Sequence, residues 1–172
     1  MSDIHSTGGH HHHHHGGHDH GRCVGGAMER ARDLCAARGA RLTDLREQVL
    51  QLVWSSHKPR GAYAILEDMA RDGKRVAPLT VYRALDFLVE QGLVHRIESL
   101  NAFVGCPEPG KAHAGQFLVC DGCGDAVEMN DGGIAQAIAQ GAAARGFQAH
   151  RQTVEVLGRC AACQAPQQDN TK

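Results

Sequence analysis

Two Cys-x-x-Cys turns, Cys120-Asp121-Gly122-Cys123 and Cys160-Ala161-Ala162-Cys163, constrain this chain more than any other feature. Each brings two thiolates to one point, and four thiolates fill a tetrahedral Zn²⁺ shell. With four protein ligands no coordination position stays open, so a site of this kind is structural rather than catalytic. The competing reading is a thioredoxin-like redox pair. That needs one Cys-x-x-Cys opening a helix after a strand, whereas here there are two, each expected at a strand end. The interval from Cys123 to Cys160 exceeds the roughly 20 residues of the commoner zinc-ribbon spacing, so a folded element must close it.

The 172 residues amount to one domain or two small ones, and 42% hydrophobic content is enough for a packed core. No apolar run approaches the ~20 residues of a membrane span. Met1-Ser2-Asp3-Ile4-His5 lacks the basic and apolar regions of a secretory signal. The expected compartment is therefore the cytoplasm, with no membrane association. Thiols stay reduced there, so seven Cys and 13 His raise a metal question before a disulfide question. The formal net charge of −1 hides an asymmetry. Residues 27–105 hold 12 bases and 10 acids, and residues 106–172 hold 5 bases and 7 acids. That is the sign pattern of a polyanion-binding half joined to a neutral or acidic one. One Trp, two Tyr and four Phe are too few for a surface that stacks single-stranded bases.

Residues 1–26 are low complexity, with His10–His15 between Gly pairs and His18-Asp19-His20 after them. They read as an affinity tag or a native metal-binding tail, in either case disordered and outside the fold. From Ala27 the periodicity is helical: Met28, Ala31, Leu34 and Cys35, then Leu45, Val49, Leu52 and Val53 after an N-cap at Thr43. Ala62, Ile65, Leu66 and Met69 mark a third helix. Thr80 reads as the N-cap of a fourth, whose stripe is Val81, Ala84, Leu85, Leu88 and Val89. Leu93–Ile97 and Ala102–Val104 form a small hairpin. Residues 27–105 thus have the layout of a winged helix-turn-helix. Residues 106–114, opening with Cys106-Pro107-Glu108-Pro109-Gly110, are a hinge linker. Residues 115–164 read as strand, strand, helix and strand, a unit small enough to need a metal staple or a partner chain. Residues 165–172 are a polar, disordered tail. The expected fold class is α+β, an N-terminal winged-helix domain followed by a small α/β dimerisation domain with a Cys₄ zinc site.

Further donors gather around the linker: His95 on the wing, Cys106 at its end, His113 in the linker and Glu128 after the first Cys pair. Taken singly, such residues are ordinary surface or core groups. Together they offer one S, two N and one O donor from both halves of the chain, a set that would clamp the halves, although spacing alone fixes no geometry. On the fourth helix, Thr80, Tyr82 and Arg83 lie where a recognition helix reaches base edges; the plainer reading is a solvated face. Arg41, Lys58, Arg60, Lys74 and Arg75 are phosphate contacts or solubilising charges. No G-x-S-x-G, H-E-x-x-H, P-loop or deaminase pattern is present, so no enzyme activity and no small-molecule substrate are expected.

Arg41-Leu42-Thr43, Thr80-Val81-Tyr82-Arg83-Ala84-Leu85, Gln91-Gly92-Leu93-Val94-His95, Cys120-x-x-Cys123-Gly124 and Cys160-x-x-Cys163 together resemble the ferric uptake regulator superfamily over roughly 27–164. The match is to its zinc uptake regulator branch. Iron-sensing members carry a His-rich run with an Asp before the first Cys pair, and here only His113 remains of it. The zinc branch uses a wing His, a Cys at the wing's end, a linker His and a Glu five residues past the second Cys, positions held here by His95, Cys106, His113 and Glu128. The resemblance implies a homodimeric, zinc-sensing repressor of zinc uptake genes that binds a double-stranded DNA operator. It also implies two Zn²⁺ per chain, one structural and one regulatory. Many members carry a further ligand His where this chain has Arg151, with His150 beside it, which argues against a third metal site. The alternative is the same scaffold sensing iron, manganese, nickel or peroxide. Cys106 discriminates, because a thiolate suits Zn²⁺ and is a poor choice for an oxidant-exposed Fe²⁺ site.

Overall fold

The computed structural model describes residues 20–56, 58–73, 75–111, 115–150 and 152–164. His10–His15, Lys74, His113, Arg151 and the tail from 165 lie outside these ranges.

Helix α1 (His20–Ala37) begins inside the segment expected to lie outside the fold. Val24 packs against the helical core, and Ala27 and Met28 are buried in it. The stripe that the sequence shows from Met28 onward therefore extends one turn back. Gly25-Gly26, at the end of the segment expected to be disordered, are carried within the helix at a cost of about 1 kcal/mol each. Helix α2 (Asp44–Trp54) starts at Thr43, whose side chain accepts from the Arg46 N–H, as expected for that N-cap. A two-residue strand β1 (Arg60–Gly61) leads into α3 (Ala62–Arg71). This strand is absent from the sequence reading because two residues cannot display a period of two. Helix α4 (Pro78–Glu90) starts earlier than expected. Ala77 is its N-cap and Pro78 its first residue, where proline's missing N–H is no loss and its fixed φ suits the helix. Thr80 thus sits inside the first turn instead of capping it, and Tyr82 and Arg83 fall in the second turn.

Strands β2 (Val94–Ile97) and β3 (Ala102–Gly105) form the wing, joined by a 3₁₀ turn at Glu98–Leu100. Strand β1 adds antiparallel to β3, giving the order β1-β3-β2. The hairpin has two working faces, as the alternation of a strand requires. Val94 and Phe103 belong to the helical core with Ala31, Val49, Leu50, Ile65, Leu85 and Leu88. Trp54 lies flat on the same face: a Cβ added at Gly105 would stand 2.3 Å from its indole, so only glycine fits there. On the opposite face Ile97, with Val104 packed beside it, joins Phe117, Val119 and Ala126 in a second core.

That second core belongs to β4 (Gly115–Cys120), β5 (Ala126–Met129) and β6 (Thr153–Gly158), arranged β5-β4-β6. Strand β5 pairs antiparallel and β6 parallel to β4, the latter reached through helix α5 (Gly132–Ala143). Asp131 caps α5, its carboxylate accepting from the N–H groups of Gly133 at 2.7 Å and Ile134 at 3.3 Å. Helix α6 (Ala161–Gln164) follows β6.

The one buried polar side chain among the described residues is Gln116, fully buried on β4. Its amide donates to the Asp131 carbonyl at 2.9 Å and accepts from the Asp131 N–H at 3.0 Å, so it seats the N-cap of α5 on the sheet. Gln116→Leu leaves both Asp131 backbone groups without their partner, at about 1–3 kcal/mol for each group that stays buried. A loss of about 2–4 kcal/mol in urea unfolding is expected; a loss under about 0.5 kcal/mol, the scatter of an ordinary surface change, would mean the clamp is not needed.

The outward side of this sheet is apolar. Val127, Leu118 and Val156 stand in one cross-strand row, 56%, 45% and 48% exposed. Leu157, on the other face of the same strand, and Phe147 are also exposed, and α5 buries none of its residues within the chain.

Candidate metal centres and nucleic-acid interface

The parallel pairing of β4 with β6 brings the two Cys-x-x-Cys turns together. Cys120 ends β4 opposite Gly158, and the Asp121 N–H donates to the Gly158 carbonyl at 2.9 Å. Cys160 follows β6 by two residues, and α6 returns Cys163 to the same point. The four sulfurs lie within 4.8 Å of one another. Cys123 Sγ and Cys160 Sγ are 3.9 Å apart, close to the S···S edge of about 3.8 Å that Zn–S bonds of about 2.3 Å imply for a tetrahedron. The space is shaped for this group: a Cβ at Gly122 would stand 3.1 Å from Cys163 Sγ. Hydrogen bonds from the Cys160 and Cys123 N–H groups bring the Cys120 thiol down to about 6, while hydrogen bonding among the crowded sulfurs raises the Cys163 thiol. Four converging sulfurs fit a structural Zn²⁺ and do not fit a redox pair.

At the junction of the two sheets, His95 on β2 meets Glu128 on β5. Nε2 and Oε1 are 3.4 Å apart, with only 14% and 17% of the side chains exposed. The His95 ring also packs against Phe117, centroids 5.3 Å apart. Cys106, just past β3, is buried, its N–H donating to the Leu93 carbonyl at 3.0 Å. Burial pushes its thiol up to about 11, and the nearby Glu128 carboxylate adds to the rise against hydrogen bonding from the Glu108 backbone. The structure therefore brings His95 and Glu128 into contact and sets Cys106 within electrostatic reach of Glu128. His113 falls outside the described residues. Among those residues, the four Cys are the only group of three or more such donors within 4.8 Å; His150 is exposed and belongs to no second group.

On α4, Thr80 and Arg83 are exposed, as a reading face requires. Tyr82 differs from the expectation of an outward position: it is half-buried and packs against the helical core. Arg41, before α2, and Arg75, before α4, are exposed; Lys74 is outside the described residues. Arg60 is committed elsewhere. It pairs with Asp68, pulling that carboxyl below its ordinary range, and donates to the Leu52 carbonyl at 3.1 Å and the Ser55 hydroxyl at 2.7 Å. It ties the end of α2 to α3 and is not placed for a phosphate. Two exposed apolar residues were not singled out from sequence, Leu79 in the first turn of α4 and Tyr63 on α3, 60% and 71% exposed.

A model of the Ferric uptake regulator family matches residues 37–157. The chain belongs to the ferric uptake regulator family. Its relatives within the family include the zinc uptake regulation protein of Escherichia coli (strain K12), 37% identical over 139 residues that cover 79% of this chain and 80% of the relative. Among solved structures of the family, holo XcZur is 45% identical, with a TM-score of 0.74 and coverage of 80% of this chain and 96% of that one. A zinc uptake regulator complexed with zinc and DNA is 36% identical, with a TM-score of 0.77 and coverage of 81% and 94%. The family's winged helix and the small α/β unit behind it are the two halves described above. Among the described residues no helix is long and apolar enough to cross a membrane.

Proposed function

We propose that this protein is a zinc-responsive, DNA-binding repressor of zinc uptake genes, acting as a cytoplasmic homodimer with two Zn²⁺ per chain and no enzymatic activity. One observation carries the reading: His95 and Glu128, contributed by the wing and by the second sheet, meet at 3.4 Å beside the buried Cys106 thiol. The proposed regulatory set is His95, Cys106 and Glu128 with His113 as the fourth donor, and the proposed structural set is Cys120, Cys123, Cys160 and Cys163. The proposed division of the chain is a DNA-binding unit up to residue 105, a hinge over 106–114 and a dimerisation unit over 115–164. Bound at the hinge set, Zn²⁺ supplies a cross-link between the wing and the second sheet. It favours DNA binding only by its differential affinity for the closed arrangement. The exposed row Val127, Leu118 and Val156 is the proposed dimer face, and a second copy there holds two α4 helices at a spacing suited to successive major grooves, about 34–36 Å.

The same scaffold serving iron, manganese, nickel or peroxide is the alternative, and the Cys106 thiol favours zinc over it. The similarity to a zinc uptake regulation protein and to a zinc uptake regulator complexed with zinc and DNA supports the same choice. The test is a zinc-titrated binding assay on sheared genomic DNA, with the retained fragments sequenced. Enrichment of fragments upstream of zinc transporters, dependent on zinc and not on iron or manganese, is expected; enrichment that follows another metal overturns the choice.

Arg83 is assigned to base reading, with Thr80 and Tyr82 beside it and Arg41, Lys74 and Arg75 on phosphates. Arg83→Ala is expected to cost about 1–3 kcal/mol of operator affinity and to relax preference at one base position in each half-site. If the variant keeps the wild-type ratio of operator to random-DNA affinity, Arg83 does not read sequence.

A further inference from the structure

The face of the second sheet that meets the wing carries one cross-strand row, Glu128 on β5, Phe117 on β4 and Glu155 on β6. Phe117 is buried and packs against Ile97 and the His95 ring. Glu128 meets His95 at the middle of the wing. Glu155 reaches the wing's tip: its Oε1 accepts from the Glu98 N–H at 2.6 Å and its Oε2 from the Ser99 N–H at 3.0 Å. These two N–H groups open the 3₁₀ turn at Glu98–Leu100, where the turn itself offers them no acceptor. Burial works against the Glu155 carboxylate, yet the hydrogen bonds from Ser99 and Glu98 outweigh it and hold the group below its ordinary range.

We propose that Glu155 is a positioning residue for DNA binding: from β6 it clamps the tip of the wing through two backbone hydrogen bonds and so sets the angle at which the second sheet presents helix α4. The geometry makes this more than a surface contact. The hairpin is anchored on the helices by Val94, Phe103 and the Trp54–Gly105 stack, so whatever holds its other face also holds α4. Ile97 fixes depth, because it is fully buried in the second core, but an apolar contact leaves rotation open. A bidentate carboxylate is directional and closes that freedom. Glu128 alone acts near the middle of the wing; Glu155 acts at its end, where a given displacement corresponds to the smallest rotation.

The proposal rests on the zinc-responsive DNA-binding reading, and its test separates the two. Full-length zinc-loaded Glu155→Ala and Glu155→Gln would be compared with wild type in zinc content, dimer content, amide exchange of Glu98 and Ser99, and operator affinity. In Glu155→Ala those two amides are expected to exchange at least about 10-fold faster and operator affinity to fall about 10-fold, with zinc and dimer content unchanged. Glu155→Gln keeps one acceptor oxygen and is expected to fall between. Unchanged amide exchange, or faster exchange with wild-type operator affinity, overturns the proposal. Loss of zinc or of the dimer in both variants overturns it too, since Glu155 would then be a general support of the sheet. Absence of zinc-dependent DNA binding in the wild type instead contradicts the underlying function, whatever the two amides do.

Discussion

Cys160→Ser is expected to yield a chain that no longer dimerises and that exposes the apolar surface of its second unit. The Cys₄ cluster ties the end of β4 to the turn after β6, so it closes the parallel half of a sheet that has little core of its own. That core amounts to Phe117, Val119 and Ala126, completed by Ile97 from the wing. A structural Zn²⁺ contributes on the order of 10–16 kcal/mol of binding energy, which is also folding energy, against a net stability of about 5–15 kcal/mol for a whole domain. A serine hydroxyl replaces a thiolate poorly in that shell. Zinc content, sedimentation and dye binding check the outcome together. A folded dimer that has lost its tightly held zinc would remove the structural assignment.

Cys106→Ser should behave in the opposite way, folded and dimeric but short of one zinc per chain. Its position is the reason: Cys106 lies outside the Cys₄ cluster, past β3, and its loss leaves that cluster intact. Removing a bound ligand is expected to weaken zinc at this site by more than the 10–100-fold typical of an outer-shell change, so by about 100-fold or more. The pH dependence carries a second signature. Burial holds the Cys106 thiol at about 11, so it is protonated in the metal-free protein across the neutral range. Zinc must displace that proton. Apparent affinity is therefore expected to rise with pH and to fall as pH drops, by up to about tenfold per unit from this thiol alone. The dependence should extend through pH 9, beyond where a thiol of reference pKa about 8.5 would level off. Cys106→Ser should lack this component. Equal proton release by wild type and variant in two calorimetric buffers would show that Cys106 is not a ligand.

Much of this arrangement was legible in the residues themselves. The α2 cap at Thr43, the α4 stripe and the Asp131 cap are local, and local chemistry dictates them. The Cys pairs were legible because their spacing admits few alternatives, and the structure needed only β4–β6 pairing to close them. What escaped is long-range or too short to carry a period. Strand β1 is two residues long. The start of α1 was hidden by Gly25-Gly26, whose helical state is decided by Val24 and Met28 packing on a core no local rule can see. Pro78 displaced Thr80 as the boundary of α4. Glu155 gave no warning: it is one charge on a short strand and acquires its role from the wing tip, more than fifty residues back along the chain. Arg60 read as a solvated or phosphate-binding charge until the turn between α2 and α3 brought it onto Asp68 and the α2 end. His95 and Glu128 stood between these cases, plausible donors by type, with a relation that only the packing of β2 on β4 and β5 defines.

The most direct measurement is operator binding as a function of buffered free zinc, read by fluorescence anisotropy at fixed pH for wild type and Cys106→Ser side by side. Wild type is expected to bind only as free zinc rises through one transition, with the Cys₄ zinc already in place before the titration begins. Cys106→Ser is expected to stay at the weak level across the free-zinc range of that transition. Coincident curves for the two proteins, or tight operator binding by wild type before the second zinc enters, would contradict a zinc switch at the wing.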